Sequence, residues 1–158
     1  MINYFKFASS FIFIYFCVMK QIIRKSDCPI NFALEIFGDR WTFLIVRDLM
    51  FKGKHFYGEF LLSDEKIATN ILADRLSLLE SNGIVSKASD PSHKQKIMYR
   101  LTQKGIDLVP VLVEVIMWSA KYDKDSSVDM KFVKSVKRDK VGLISEISSR
   151  LVEELGVS

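Results

Sequence analysis

Residues 66–82 read KIATNILADRLSLLESN, and Gly83-Ile84-Val85 follows them directly. Apolar side chains recur at Ile67, Leu72, Leu76 and Leu79, a spacing that sets them along one side of an α-helix. The opposite side carries Asn70, Asp74 and Ser77, with small Ala73 beside them and Thr69 near the start. A greasy seam and a short polar face predict a helix seated on a core with its outer side open. Gly83 supplies the stop.

Beyond Gly83, residues 84–88 and 96–101 read as two short strands, and the turn-rich SDPSHKQ between them contains Pro91. Upstream, Asp27-Cys28-Pro29 opens a helix with proline in the first turn, and Gly38 stops it. Asp39 is the expected N-cap of the next helix, where Trp41, Leu44, Ile45 and Leu49 follow helical spacing and Gly53 ends the run. A short third helix is expected near residues 56–61, before the Ser63-Asp64-Glu65 turn. The order is therefore four helices and then a hairpin. Thr102 is expected to cap one long helix reaching about Tyr122, so apolar all round that its second partner is expected to be another subunit. Two further helices are expected at 130–138 and 139–155. The lysines at 131, 134 and 137 lie along one face of the first, a pattern usual for a solvated surface.

The 158 residues suit one domain, or one small domain plus helical extensions, and 49% hydrophobic residues are ample for a core. A net charge of +4 permits nucleic-acid binding without establishing it. Two cysteines, Cys17 and Cys28, form no disulfide framework, so a reducing, cytoplasmic setting is expected. Residues 1–18, MINYFKFASSFIFIYFCV, are apolar and aromatic, with Lys6 as their one charge. They lack the basic start and cleavage site of a signal peptide and the roughly 20 apolar residues of a membrane span. They read as a doubtful extension, with Met19 as the expected start. No membrane partner is expected unless they are retained.

A helix with a polar outer face, closed by glycine and followed by a hairpin, is the arrangement with which winged helix-turn-helix proteins read DNA. The motifs CPINFALEIFGDRWTFLIVRDL (28–49), HFYGEF (55–60), KIATNILADRLSLLESNGIV (66–85) and YRLTQKGIDLVPVL (99–112) resemble the HxlR-type family of bacterial winged helix-turn-helix regulators, a relative of the MarR type. Each motif alone is weak; together and in this order they are specific. The resemblance implies a mainly α fold with a small β-hairpin wing and long dimerisation helices. It also implies a homodimer on pseudo-palindromic double-stranded operator DNA, with repression the commoner outcome. It divides the chain into a DNA-binding domain at 27–123 and a C-terminal helical extension at 128–158. Two departures stand out: Ala68 replaces the serine that caps this helix in many relatives, and Asn70 replaces a commonly basic residue.

The expected DNA-reading elements are the 68–82 helix and the 89–96 wing. Thr69, Asn70, Ala73, Asp74 and Ser77 would face the major groove, where asparagine pairs with adenine and serine is permissive. Arg75 stands beside the seam, equally placed to pair with a carboxylate or a phosphate. His93, Lys94, Gln95 and Lys96 would lay a cationic wing tip along the backbone. Lys54, His55, Tyr57 and Lys66 are further candidates for phosphate contact. Cys28, at a helix start with Arg24 and Lys25 upstream and Asp27 opposing, is the candidate for redox or electrophile sensing. Some members of the resembling family use the cysteine at this place so; the bland alternative is a small apolar residue. Trp41 and Trp118 read as core or interface residues unless they line an effector pocket, and a small-molecule or electrophile effector is the further partner the reading allows. No nucleophile elbow, phosphate loop or metal-ligand spacing occurs, so neither an enzyme nor a cofactor is expected. Two alternatives stand beside the regulator: a winged-helix interaction module without specific DNA binding, and a membrane-tethered regulator if residues 1–18 are kept.

Overall fold

The computed structural model describes residues 26–90, 93 and 95–156. The expectations for residues 1–18, for Met19 as the start, for Cys17 and for Lys94 lie outside these. Among the described residues, no helix is long and apolar enough to cross a membrane.

Pro29 opens α1 (Pro29–Phe37) behind the N-cap Cys28. Most of the apolar surface of α1 stays open: Ile36 is buried, whereas Ile30, Phe32 and Leu34 are exposed. In α2 (Thr42–Phe51), the N-cap is Trp41 and not the expected Asp39. Asp39 acts from two residues earlier. Its carboxylate accepts the backbone N–H of Trp41 at 2.7 Å and of Thr42 at 3.1 Å, together with the Thr42 hydroxyl. The carboxylate thus serves the orphan donors of the helix start without occupying the cap position.

The short α3 (Tyr57–Leu61) buries Phe60, and the turn after it leads into α4 (Thr69–Ser81). Leu72, Leu76 and Leu79 are buried on the inner side of α4, each contributing roughly 1.5–3 kcal/mol through removal from water. Ile67 is buried too, but in the turn before the helix and not on its seam. Ala68 is the N-cap and makes no side-chain cap bond. The far end is tightly finished: Gly83, at φ +66°, donates to the Glu80 carbonyl, and Ile84 N–H reaches back to Leu79 O at 2.9 Å. That is the glycine-terminated cap in which a left-handed residue turns the chain out of the helix.

The turned chain becomes β1 (Val85–Ser89), paired antiparallel with β2 (Ile97–Leu101) in the register Val85↔Leu101 through Ser89↔Ile97. Thr102 then ties the hairpin base to the end of α4. Its N–H donates to Ile84 O at 2.9 Å, and its hydroxyl donates to Gly83 O at 2.6 Å. The long helix expected from Thr102 is two helices, α5 (Gln103–Ile106) and α6 (Val109–Tyr122). Pro110 is the cause: it has no N–H for the carbonyl four residues back, and its ring crowds that carbonyl.

α7 (Met130–Arg138) and α8 (Lys140–Leu155) start at Asp129 and Asp139, whose side chains accept from Lys131 N–H and Gly142 N–H. Ile147 and Leu151 of α8 join the same core cluster as the seam of α4. Arg150 donates to Met50 O at 2.8 Å, and Phe132 meets Phe51 edge-on, so both helices grip the end of α2. α6 keeps one side uncovered. Val109, Leu112 and Val113 are buried, but Val111, Val115, Trp118 and Tyr122 are 43%, 48%, 66% and 60% exposed. Those four recur at helical spacing and form one apolar stripe.

Candidate nucleic-acid interface

The seam fixes which residues α4 turns outward. Thr69, Asn70, Ala73, Asp74 and Ser77 are all exposed, as the leucine spacing requires. The helix start is held from below, since the Tyr57 hydroxyl donates to Thr69 O at 2.6 Å. Arg75 takes the carboxylate option: Nη1 lies 3.4 Å from Asp39 and Nη2 lies 3.5 Å from Asp74. Asp39 therefore joins the start of α2 to the middle of α4.

The wing presents exposed His93, Gln95 and Lys96, with the Lys96 ammonium 5.7 Å from the Phe56 ring centre. Lys96 N–H donates to His93 O and Asp90 N–H to Lys96 O, closing the turn. At its base, Tyr99 N–H donates to His55 O at 2.7 Å, and His55 Nδ1–H donates to Tyr99 O at 3.1 Å. His55 and Tyr57 are half-buried residues that join the wing and α4 to the α3 region. Lys66 is exposed in the turn before α4.

Lys54 does not point outward for a phosphate. It donates to Asp48 Oδ2 at 2.9 Å and to Ser63 Oγ at 2.6 Å, because a carboxylate only 2% exposed needs a cation beside it. Ser63 also donates to Asp48 at 2.5 Å. Arg47 bonds Asp48 Oδ1 from Nε and Nη2, at 2.8 and 2.6 Å, and forks onto Glu65 at 2.5 and 3.1 Å. Arg47, Asp48, Ser63 and Glu65 escaped the sequence reading. A usable signal existed: an Arg-Asp pair interrupting Ile45, Val46, Leu49 and Met50 has to be paired if the helix is buried.

The network sets an acid sensitivity. Hydrogen bonding from Arg47 lowers the Glu65 carboxyl to about 2. Burial pushes the Asp48 carboxyl up, but hydrogen bonds from Ser63, Lys54 and Arg47 outweigh it and the net shift is downward. Carboxyls lowered by folding stabilise the fold above their unfolded values and lose that contribution as pH falls through the folded ones. For Glu65 the window runs from roughly pH 4.3 down to about 2. Thermal melts of the wild type are thus expected to fall across that window, and Glu65→Gln to show a smaller fall. An equal fall in both proteins would contradict this.

Cys28 is exposed, its carbonyl accepting from Phe32 N–H at 3.0 Å. A cavity lined by Trp41, Asp48, Phe60 and Ile67 among others measures only ≈ 10 Å³, room for about one water.

A polar-faced helix seated behind a helical turn, with a two-stranded wing clipped to its end, is a winged helix-turn-helix. Residues 36–127 match the family described as HxlR-like helix-turn-helix. The chain belongs to that family of transcriptional regulators. YvaP of Bacillus subtilis strain 168, an uncharacterized HTH-type transcriptional regulator, is 32% identical over 67% of this chain and 98% of its own length. The crystal structure of PA1607 is 39% identical, with a TM-score of 0.58, over 67% of this chain and 74% of that one. The oxidized form of the redox regulator HypR is 28% identical, with a TM-score of 0.55, over 63% of this chain and all of HypR. The uncharacterized HTH-type transcriptional regulator sll1512 of Synechocystis is 33% identical over 54% of this chain and 63% of its own length. The HxlR-like match ends at residue 127, so α7 and α8 lie beyond it. The family and these relatives are regulators and not enzymes.

Proposed function

We propose that the chain acts in the cytoplasm as a homodimeric repressor of nearby genes, binding pseudo-palindromic operator DNA without catalysing a reaction. The observation that carries this reading is the outer face of α4, whose Thr69, Asn70, Ala73, Asp74 and Ser77 stand exposed on a helix fixed from within by leucines. Asn70 and Ser77 read base edges, while Asp74 accepts from cytosine or shapes specificity. His93, Lys94, Gln95 and Lys96 lie on the phosphate backbone beside the groove and supply salt-dependent affinity, with Lys66, His55 and Tyr57 near the same backbone. The exposed stripe of α6 and the open apolar side of α1 meet their counterparts in a second copy, which places two α4 helices about 34 Å apart on one face of the duplex. Exposed Cys28 is the site at which an oxidant or electrophile acts as effector, in keeping with its place in front of α1 and with the redox regulator HypR among the similar structures. Titration of the full chain against its own upstream intergenic DNA, across salt, tests the proposal through preference over random DNA.

A further inference from the structure

The turn at residues 62–68 joins α3 to α4 and so decides where α4 points. Within it, Lys66 has φ +52°, alone among the described non-glycine residues in the left-handed region. A Cβ at such a position crowds the following carbonyl, a cost that glycine avoids. Strain of this kind persists only where the surroundings over-determine it. Here the residues just before Lys66 are pinned to α2. Ser63 is held by Asp48 and Lys54, Glu65 is held by the Arg47 fork, and Lys66 N–H closes onto Ser63 O at 2.9 Å.

We propose that Asp48 and Glu65 are positioning residues for DNA recognition: acting through Ser63, Lys54 and Arg47, they lock this turn with Lys66 in the left-handed region and so aim α4 into the groove. The proposal rests on the regulator reading above. Neither carboxylate is placed against DNA; Asp48 is buried, and Glu65 is forked onto Arg47. Their effect is therefore geometric, and its sign sets it apart from electrostatics. Removing a negative charge close to a phosphate backbone tightens binding when charge alone matters. Loosening the lock weakens base-specific binding only, because backbone contacts do not read sequence.

Asp48→Asn would leave half-buried Lys54 beside a neutral, buried partner and risks unfolding, so Glu65→Gln, at a half-buried position, carries the test. Binding of the full chain is measured by fluorescence anisotropy on two duplexes, its own upstream intergenic DNA and a shuffled sequence of equal length, across salt. Glu65→Gln is expected to weaken binding to the upstream duplex roughly tenfold, the scale of one charge-assisted pair. Binding to the shuffled duplex should hold or tighten, with the salt slope unchanged. Lys66→Gly relieves the strain, so Glu65→Gln added to it should cost less than about threefold. Tighter or unchanged upstream binding by Glu65→Gln overturns the proposal, as does an equal loss on both duplexes or an undiminished loss beside Lys66→Gly. A wild type that prefers neither duplex overturns the regulator reading instead. In that case hydrogen exchange decides the lock: Glu65→Gln should speed exchange at the Lys66 amide and leave Leu72 and Leu76 protected, and an unchanged Lys66 rate overturns it.

Discussion

A chain carrying Val115→Glu and Trp118→Glu together is expected to sediment as a folded monomer and to lose more than about 100-fold in operator affinity, the gain that linking two half-site contacts provides. Both residues lie on the uncovered side of α6, at 48% and 66% exposure, so the substitutions leave the core of the single chain undisturbed. In a dimer they would bring four carboxylates into an apolar contact. Analytical ultracentrifugation reads the oligomeric state, circular dichroism confirms retained helix, and anisotropy reads the DNA. A dimer that survives the double substitution would remove the α6 stripe from the interface.

Gly105→Ala is expected to cost about 3 kcal/mol or more, as overpacking against unyielding atoms does. A Cβ at Gly105 would fall inside the van der Waals boundary of the Ile84 carbonyl oxygen and 3.0 Å from Leu101 Cδ2. Backbone cannot step aside there, because Ile84 O already accepts from Thr102 N–H where the wing is clipped to α4. The glycine of the Tyr-Arg-Leu-Thr-Gln-Lys-Gly motif is thus a close-approach residue, tying α5 to the start of the wing. Gly58→Ala is the control: it lies within α3 with nothing near its would-be Cβ, so alanine there should be neutral or stabilise by up to about 1 kcal/mol through helix propensity. Chemical denaturation of both variants checks the pair. Similar stabilities would contradict the packing argument.

The legible parts of this chain are those whose cause is local and periodic. Leucines at 72, 76 and 79 fix which side of α4 is inward, and hence which five residues face out. Gly83 and Thr102 mark the two ends of the wing junction because each does a job few other residues can do there. The break before α6 was legible in principle, since Pro110 forbids an unbroken helix, but the apolar run around it read as continuous. Arg75 was equally open to a phosphate and a carboxylate; Asp39, distant in sequence, decided it. Lys54 misled for the same reason: its partners Asp48 and Ser63 meet only after α2 and the turn have folded together. Charges reveal their partners through tertiary structure, whereas leucines reveal theirs through spacing.

The regulator reading depends on α4 and the wing binding one specific duplex. Footprinting of the full-length chain on its own upstream intergenic DNA, with a shuffled competitor at rising salt, tests it most directly. Two protected half-sites one helical turn apart, about 34 Å, are expected, retained at salt that releases the competitor. Protection that follows no sequence and vanishes together with competitor binding would contradict it.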